Sequence, residues 1–255
     1  MSDQISTKTP SEISSLIVQS HIYRFMAYSL RRPDSNRIDF EKENMDLPWD
    51  EIAEALPLKN KEQLIGRLKE LSEKLYQTTY KDRVTQYEDC FGYTASGPVP
   101  CYELEYGEEH THREPQQLSD ISSFYHAFGL KVKENNFERV DHIAIECEFM
   151  HYLLFKEAYA LSNAAIENAE ICHQASVRFL REHLGRWAPS FALKLSRYAK
   201  QGFLKDLADF TFSYIVADCE WSGVTAGPED LPIRPVQEKE DSGCVNCSLR
   251  PATPQ

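Results

Sequence analysis

The chain has 255 residues, with 28 Lys and Arg against 40 Asp and Glu, so its net charge is −12 with neutral histidines. This balance argues against a nucleic-acid-binding protein, because contact with phosphates requires a basic face. With 42 % hydrophobic and 27 % charged residues, the composition is that of a globular protein with one large core. Only 10 residues are glycine, too few for the turns of an all-β protein. We therefore expect an all-α fold.

The sequence shows neither the pattern of a signal peptide or membrane span nor the cysteine spacing of a disulfide-bonded protein. No run of about 18 uncharged apolar residues occurs, and the start, MSDQISTKTPSE, lacks the basic and then apolar order of a signal peptide. We therefore expect a cytoplasmic protein without stable membrane insertion. The seven cysteines are odd in number and irregularly spaced, which favours reduced thiols packed in the core over a disulfide framework.

Helical patterns begin near the start of the chain. Pro10 and Glu12 suit the first turn of a helix, which should end near Leu30, before Pro33. The same reasoning predicts a short helix near residues 49–56, an amphipathic helix over 61–80 with leucines at helical spacing, and a further turn or two carrying Tyr87 and Phe91.

Residues 92–114 form a long internal loop, with three glycines and two prolines among charged residues. Loops of this length are uncommon in compact domains and are disproportionately functional. Beyond the loop, helices are predicted over 115–128 with Gly129 as the stop, over 138–161, from 164 to about 184, over 189–199 and over 202–221.

The segment 138–161 is apolar on nearly all sides, which places it in the middle of a bundle. After Trp221 the sequence is rich in proline and poor in large apolar residues, as in a flexible tail. We expect a single-domain bundle of about nine to eleven helices over 1–221, with the long internal loop, and a flexible tail over 222–255.

Two Glu-x-x-His pairs, Glu148/His151 and Glu170/His173, raise the alternative of a di-iron or di-manganese oxidase, because this spacing puts both side chains on one helical face. That site also needs a glutamate from each of two other helices. The plainer interpretation is that Glu148 and His151 satisfy each other or nearby backbone groups. We expect no metal and no cofactor.

Two other segments contain metal-ligand residue types. Cys244 and Cys247 supply only two of the four soft ligands that zinc or an iron–sulfur cluster needs; a second tail or a client protein would have to complete the site. The acidic and histidine-containing run 108–112 is more typical of a solvated loop face than of a metal site.

Five groups of short motifs occur in order between residues 20 and 220. They are Ile22-Tyr23-Arg24-Phe25-Met26-Ala27 with Arg32-Pro33-Asp34; Tyr87-Glu88-Asp89-Cys90-Phe91-Gly92; Pro98 and Pro100 with Tyr102 and Tyr106; Val140-Asp141-His142-Ile143 with Glu146-Cys147-Glu148-Phe149-Met150; and Phe179-Leu180, His183-Leu184, Trp187, Pro189 and Phe191. In this order they resemble the TorD/DmsD/NarJ family of cytoplasmic redox-enzyme maturation chaperones. Arg139 stands where a proline is common in that family.

The resemblance implies a chaperone without catalytic activity. It would bind the twin-arginine leader or N-terminus of an apo-molybdoenzyme catalytic subunit, assist cofactor insertion and delay export, as a monomer or homodimer. Two guanidinium groups beside an apolar stretch require carboxylates next to apolar walls. The expected peptide-binding residues are Tyr87, Glu88, Phe91, Pro100, Tyr102, Glu103, Tyr106, Asp141, His142, Glu146 and Phe149.

For two of these residues, roles other than peptide binding are open. Asp141 lies in the first turn of the predicted helix over 138–161, where a carboxylate caps free backbone amides and meets the positive end of the helix dipole. His142 has the side chain of a pH sensor, because an ordinary histidine has a pKa near 6.5. A third function class, an adaptor for a folded subunit, also fits the sequence.

Overall fold

The computed structural model describes residues 10–35, 54–93, 97–108, 114–131 and 138–234. In these ranges the protein is all-helical, with two isolated β-bridges and no strand. The elements are α1 (Pro10–Ser29), α2 (Lys61–Gln77), α3 (Tyr80–Phe91), a 3-10 turn (Glu103–Glu105), α4 (Glu114–Ala127), α5 (Ile143–Ser162), α6 (Ile166–Glu182), α7 (Leu184–Ala199) and α8 (Phe203–Trp221).

The predicted all-α class is confirmed, and most helices lie where the sequence places them. The described ranges hold eight α-helices, so nine to eleven for the whole chain stays a prediction. Most of the predicted helix at 49–56 and the Cys244/Cys247 pair lie outside the described residues, as do residues 109–112 of the acidic run.

The predicted helix over 61–80 ends at Gln77, and a separate helix starts at Tyr80. Thr78 is extended, with ψ 123°, and the Thr79 side chain accepts a hydrogen bond from the backbone N–H of Asp82. This N-cap satisfies a backbone donor at the start of α3. The short break therefore separates α2 from α3.

The prediction that α7 begins at Pro189 is wrong, because α7 begins at Leu184 and contains the proline. A proline inside a helix leaves the carbonyl four residues earlier without its usual donor. Here that carbonyl belongs to Gly185, and the backbone N–H of Gly227 donates to it at 2.8 Å. The proline is tolerated because a later segment replaces the missing hydrogen bond.

The central helix α5 starts at Ile143, later than predicted, because residues 138–142 are irregular and end in the β-bridge of His142 with Tyr102. It packs mainly against α1 and α6, and most of its side chains are buried. Phe155 and Tyr159 are exceptions and are exposed. The helix is therefore central, but one strip of it reaches the surface.

The bundle is completed by α7 and α8, which pack against each other, while α2 lies on α8 and α3 on α7. The cysteines of the described ranges are free and buried, in agreement with the prediction. Within those ranges, no helix combines the length and apolarity that a membrane span requires.

Residues 222–234 do not behave as a flexible tail. The backbone N–H of Val224 donates to Cys219, and the segment ending at Arg234 is hydrogen-bonded to the long loop. The predicted boundary at residue 221 is therefore too early, because these residues supply hydrogen bonds that the loop and α7 require.

Candidate functional site

The long loop lies against the start of α5 and is held by its backbone. Tyr102 forms an antiparallel bridge with His142, and Tyr106 forms another with Ile233. Residues 101–107 of the loop are therefore hydrogen-bonded on two sides, to the start of α5 and to residues 232–234. The hydrogen bonds, each 2.9 Å, run from Ile143 N to Cys101 O, from Glu103 N to Asp141 O, from Gly107 N to Pro232 O and from Arg234 N to Glu105 O.

Asp141 is the polar centre of this junction and is fully buried. Its carboxylate accepts two hydrogen bonds from Arg139, from Nε at 2.9 Å and from Nη2 at 2.6 Å. The backbone N–H of Leu104 donates to it at 3.2 Å. The interpretation of Asp141 as the cap of α5 is wrong, because its carboxylate binds the arginine and the loop.

His142 is the cap of α5. Its Nδ1 accepts a hydrogen bond from the backbone N–H of Ala144 at 3.1 Å, and its ring lies edge-on to Tyr102 with centroids 5.2 Å apart. Burial lowers the pKa of His142 to about 3. This shift favours the neutral ring near pH 7, so the structure gives no support to His142 as a sensor of physiological pH.

Two predicted site residues, Glu103 and Glu146, meet beside α7. Trp187 Nε1 donates to Glu146 Oε2 at 3.0 Å, and Glu103 Oε2 lies 3.1 Å from His183 Nδ1. Burial and the neighbouring Glu103 raise the pKa of Glu146 well above its usual range. A protonated Glu146 can donate to Glu103, so the pair links the loop to α5 and α7.

The aromatic and proline side chains predicted to wall a groove are buried instead. Tyr87, Phe91, Pro100, Tyr106 and Phe149 all lie in the interior. Aromatic rings bury a large apolar area, and here that area joins the loop to the bundle core. The expectation of an open aromatic groove is therefore not met, although a role of these residues in peptide binding stays a prediction.

Carboxylates remain partly open to solvent around the junction. The Glu88 side chain is 13 % exposed and pairs with Arg32 at 2.7 Å, and the Glu105 side chain is 20 % exposed. Glu103 is similarly placed, and Glu138 accepts a hydrogen bond from the hydroxyl of Tyr102 at 2.9 Å. The accessible surface of the junction thus presents carboxylates, two of which are paired with Arg32 and Arg139, and its buried part is aromatic and polar.

The di-metal alternative is not supported, because the two Glu-x-x-His pairs bind other partners. Within the described part of the chain, no group of three or more His, Cys, Asp or Glu side chains could hold a metal ion. The partners are Arg31 for Glu148 at 2.6 Å, Ser20 for His151 at 2.7 Å, Gln174 for Glu170 at 2.8 Å and Glu157 for His173 at 3.4 Å.

Three residues of the junction were not predicted as site residues: Arg139, His183 and Trp187. The last two belong to a motif that carries the family resemblance, so their order in the sequence is a usable signal. The pairing of Arg139 with Asp141 spans two residues of irregular backbone, a separation at which side chains on a helix do not face each other.

Comparison with known families gives one match that covers more than half of the chain. The sequence model of the nitrate reductase delta subunit family matches residues 42–193, which include the loop, the junction with α5 and most of α7. The chain belongs to this family.

Individual proteins with sequences similar to this chain are named as chaperones. The selenate reductase assembly chaperone protein of Thauera selenatis is 33 % identical over 89 residues, which cover 33 % of the chain and 45 % of that protein. The chaperone protein TorD of Vibrio cholerae serotype O1 is 30 % identical over 106 residues, or 40 % and 44 %. The perchlorate reductase assembly chaperone protein of Dechloromonas aromatica is 29 % identical over 106 residues, or 42 % and 46 %. Each alignment spans less than half of the relative.

Proposed function

We propose that the protein is a cytoplasmic chaperone, without enzymatic activity, for the catalytic subunit of a molybdenum-containing reductase. It binds the twin-arginine leader or N-terminus of the apo-subunit, assists cofactor insertion and delays export. Family membership and relatives named as assembly chaperones of selenate and perchlorate reductases support the chaperone role.

The observation that carries leader binding is the set of partly exposed carboxylates at the loop–α5 junction. A guanidinium group binds best to a carboxylate that accepts hydrogen bonds in a fixed geometry. Glu88 and Glu103 are predicted site residues whose side chains are 13 % and 14 % exposed. Both are rigidly placed, Glu88 on a helix and Glu103 in a loop that is hydrogen-bonded on both sides.

Most of the predicted site residues then divide into two groups. Glu88 and Glu103 contact the peptide, whereas the buried residues Tyr87, Phe91, Pro100, Tyr106, His142, Glu146 and Phe149 hold the acidic surface in place. Asp141 and Tyr102 are also buried, and both contact Arg139. Under this proposal, mutation of the second group weakens peptide binding through loss of structure, and mutation of the first group weakens it without such loss.

Calorimetric titration with a synthetic leader peptide of the client tests this role. We expect Glu88→Gln to weaken binding about fivefold, because a charged contact at a partly solvated rim contributes about 1 kcal/mol. Glu220→Gln is the matched control, since Glu220 also carries an ion pair, with Lys59, but lies on α8. A peptide with two lysines should bind the wild type more weakly than one with two arginines.

Equal affinity of the wild type and Glu88→Gln would contradict the placement of the peptide. The adaptor alternative makes the opposite prediction about the leader: a client subunit lacking its leader would bind with full affinity. Pull-down of the folded client with and without its leader distinguishes the two functions.

A further inference from the structure

The Arg139 side chain occupies a site with the features of a receptor for an arginine. Asp141 accepts two of its hydrogen bonds, at 2.9 and 2.6 Å. Glu105 Oε1 lies 3.7 Å from Nη1, and the guanidinium carbon lies 4.4 Å from the ring centroid of Tyr102. We call Asp141, Glu105 and Tyr102 the guanidinium cradle.

Each part of the cradle matches one property of the guanidinium group. Its planar fork binds a carboxylate through two parallel hydrogen bonds, its flat face lies over an aromatic ring, and its charge attracts a second acid. Asp141 also keeps the backbone N–H of Leu104 as a donor. The carboxylate is therefore held in position independently of Arg139.

Comparison with a second arginine, Arg178, shows that the burial of the acid is the unusual feature of the guanidinium cradle. Arg178 bonds Glu182 through Nε at 2.9 and 3.0 Å, and its guanidinium carbon lies 5.1 Å from the ring centroid of Phe124. The Glu182 side chain is 41 % exposed, however, whereas Asp141 is fully buried. Water already reaches the acid of Arg178, whereas Asp141 has no contact with solvent while Arg139 covers it, so its carboxylate depends more strongly on a charged partner.

The position of Arg139 makes exchange possible. The Arg139 side chain is 42 % exposed while the carboxylate beneath it is completely covered, so the guanidinium stands between Asp141 and solvent. Arg139 also lies in irregular backbone before α5. Its side chain can leave without unwinding a helix, and its departure uncovers the carboxylate.

We propose that the guanidinium cradle is a binding site for an arginine side chain of another polypeptide, and that Arg139 occupies it in cis as an intramolecular competitor. This deepens the proposed function by assigning one leader arginine to Asp141 and by making leader binding an exchange reaction. Because Arg139 is tethered to the site, its effective concentration is high, and the wild type binds a guest arginine more weakly than the empty cradle does.

Removal of Arg139 followed by addition of a small guanidinium compound tests the cradle without any leader peptide. We expect Arg139→Ala to lower Tm by about 6–12 °C, because a buried carboxylate loses its partner. N-ethylguanidinium at ten times its Kd should raise the Tm of this variant by about 3–6 °C. Wild type and Arg178→Ala should show no such rise, and ethylammonium, which lacks the planar fork, should be much less effective on Arg139→Ala.

Equal effects of N-ethylguanidinium on Arg139→Ala and Arg178→Ala would overturn the proposal, as would equal effects of the two cations on Arg139→Ala. If Arg139→Ala does not fold, Arg139→Gln is used in the same way. It removes the charge and keeps a shorter polar side chain.

The leader peptide provides the second measurement. We expect a twin-arginine peptide to bind Arg139→Ala at least about fivefold more tightly than the wild type, with no gain for a twin-lysine peptide. A peptide that binds the wild type but gains nothing in the variant would refute the competition and leave the proposed function standing. Rescue by N-ethylguanidinium with no peptide binding to either protein would refute the proposed function and leave the cradle standing.

Discussion

The interior of the helical bundle and the loop–α5 junction both contain fully buried side chains, but these side chains are held by different forces. In the bundle, Phe179 on α6 is fully buried and packs against other rings, with its centroid 4.9 Å from that of Phe149. In the junction, Asp141, His142 and Glu146 are also fully buried. Each of these three has a hydrogen-bonding partner at a defined position.

This difference between apolar packing and polar pairing determines how each region responds to a substitution. Apolar packing is spread over many contacts and tolerates side chains of similar volume. A buried polar network depends on each donor and acceptor, because a group that loses its partner remains without water. We therefore expect the bundle to tolerate substitutions that keep the side-chain volume, and the junction to lose stability when a single polar partner is removed.

Phe179→Ala is expected to have the largest effect among the tests of this comparison. Removal of a fully buried ring should lower the free energy of unfolding by about 3–5 kcal/mol through lost transfer energy and a cavity, measured by urea denaturation. Phe179→Leu keeps much of the volume and should cost less than half as much. Similar losses in both variants would mean that specific ring contacts, rather than volume, hold the bundle.

The bundle also contains a polar exception, Asp218, whose carboxylate accepts a hydrogen bond from the Tyr23 hydroxyl at 2.5 Å. Burial raises the pKa of Asp218 to about 6. The folded state therefore keeps this proton between about pH 4 and 6, where the unfolded chain has lost it, so stability falls as pH rises through that window. We expect wild type to lose about 2–3 kcal/mol more than Asp218→Asn between pH 4 and 7.

Urea denaturation at several pH values measures this difference. Asparagine keeps an oxygen that accepts from the Tyr23 hydroxyl and cannot ionise, so the variant isolates the carboxyl proton. Glu146, whose pKa is also raised by burial, gives a slope of the same sign and is present in both proteins. Parallel pH profiles of wild type and variant would contradict the assignment of the slope to Asp218.

The smallest expected effects compare two tyrosines of the loop. The Tyr106 hydroxyl donates to the carbonyl of Pro100 at 2.7 Å in the interior, whereas Tyr102 donates to Glu138, which is partly exposed. Tyr106→Phe should cost about 1 kcal/mol and Tyr102→Phe about 0.5 kcal/mol, because water can reach Glu138 but not Pro100. The reverse order in urea denaturation would show that the outer hydrogen bond, rather than the inner one, holds the loop.

The sequence predicted the helices well because their apolar residues recur at a period that local geometry alone determines. The end of α1 and the last helix, α8, follow the predicted positions within a few residues. The break at Thr78 was not predicted, because the leucine pattern runs up to it and one capping threonine decides the boundary. The proline of α7 was mistaken for a helix start, because the donor that replaces its hydrogen bond comes from Gly227, a distant residue.

The order of motifs along the chain indicated the family and placed the candidate site at the loop and the start of α5. The sequence alone therefore determined the helical class, the acidic character and the region of interest, since these depend on composition and local spacing. Only the tertiary structure decided that the aromatic side chains are inside, that His142 rather than Asp141 caps α5, and that Arg139 pairs with Asp141. Those outcomes depend on which side chains the fold brings together from irregular backbone, where no periodicity constrains them.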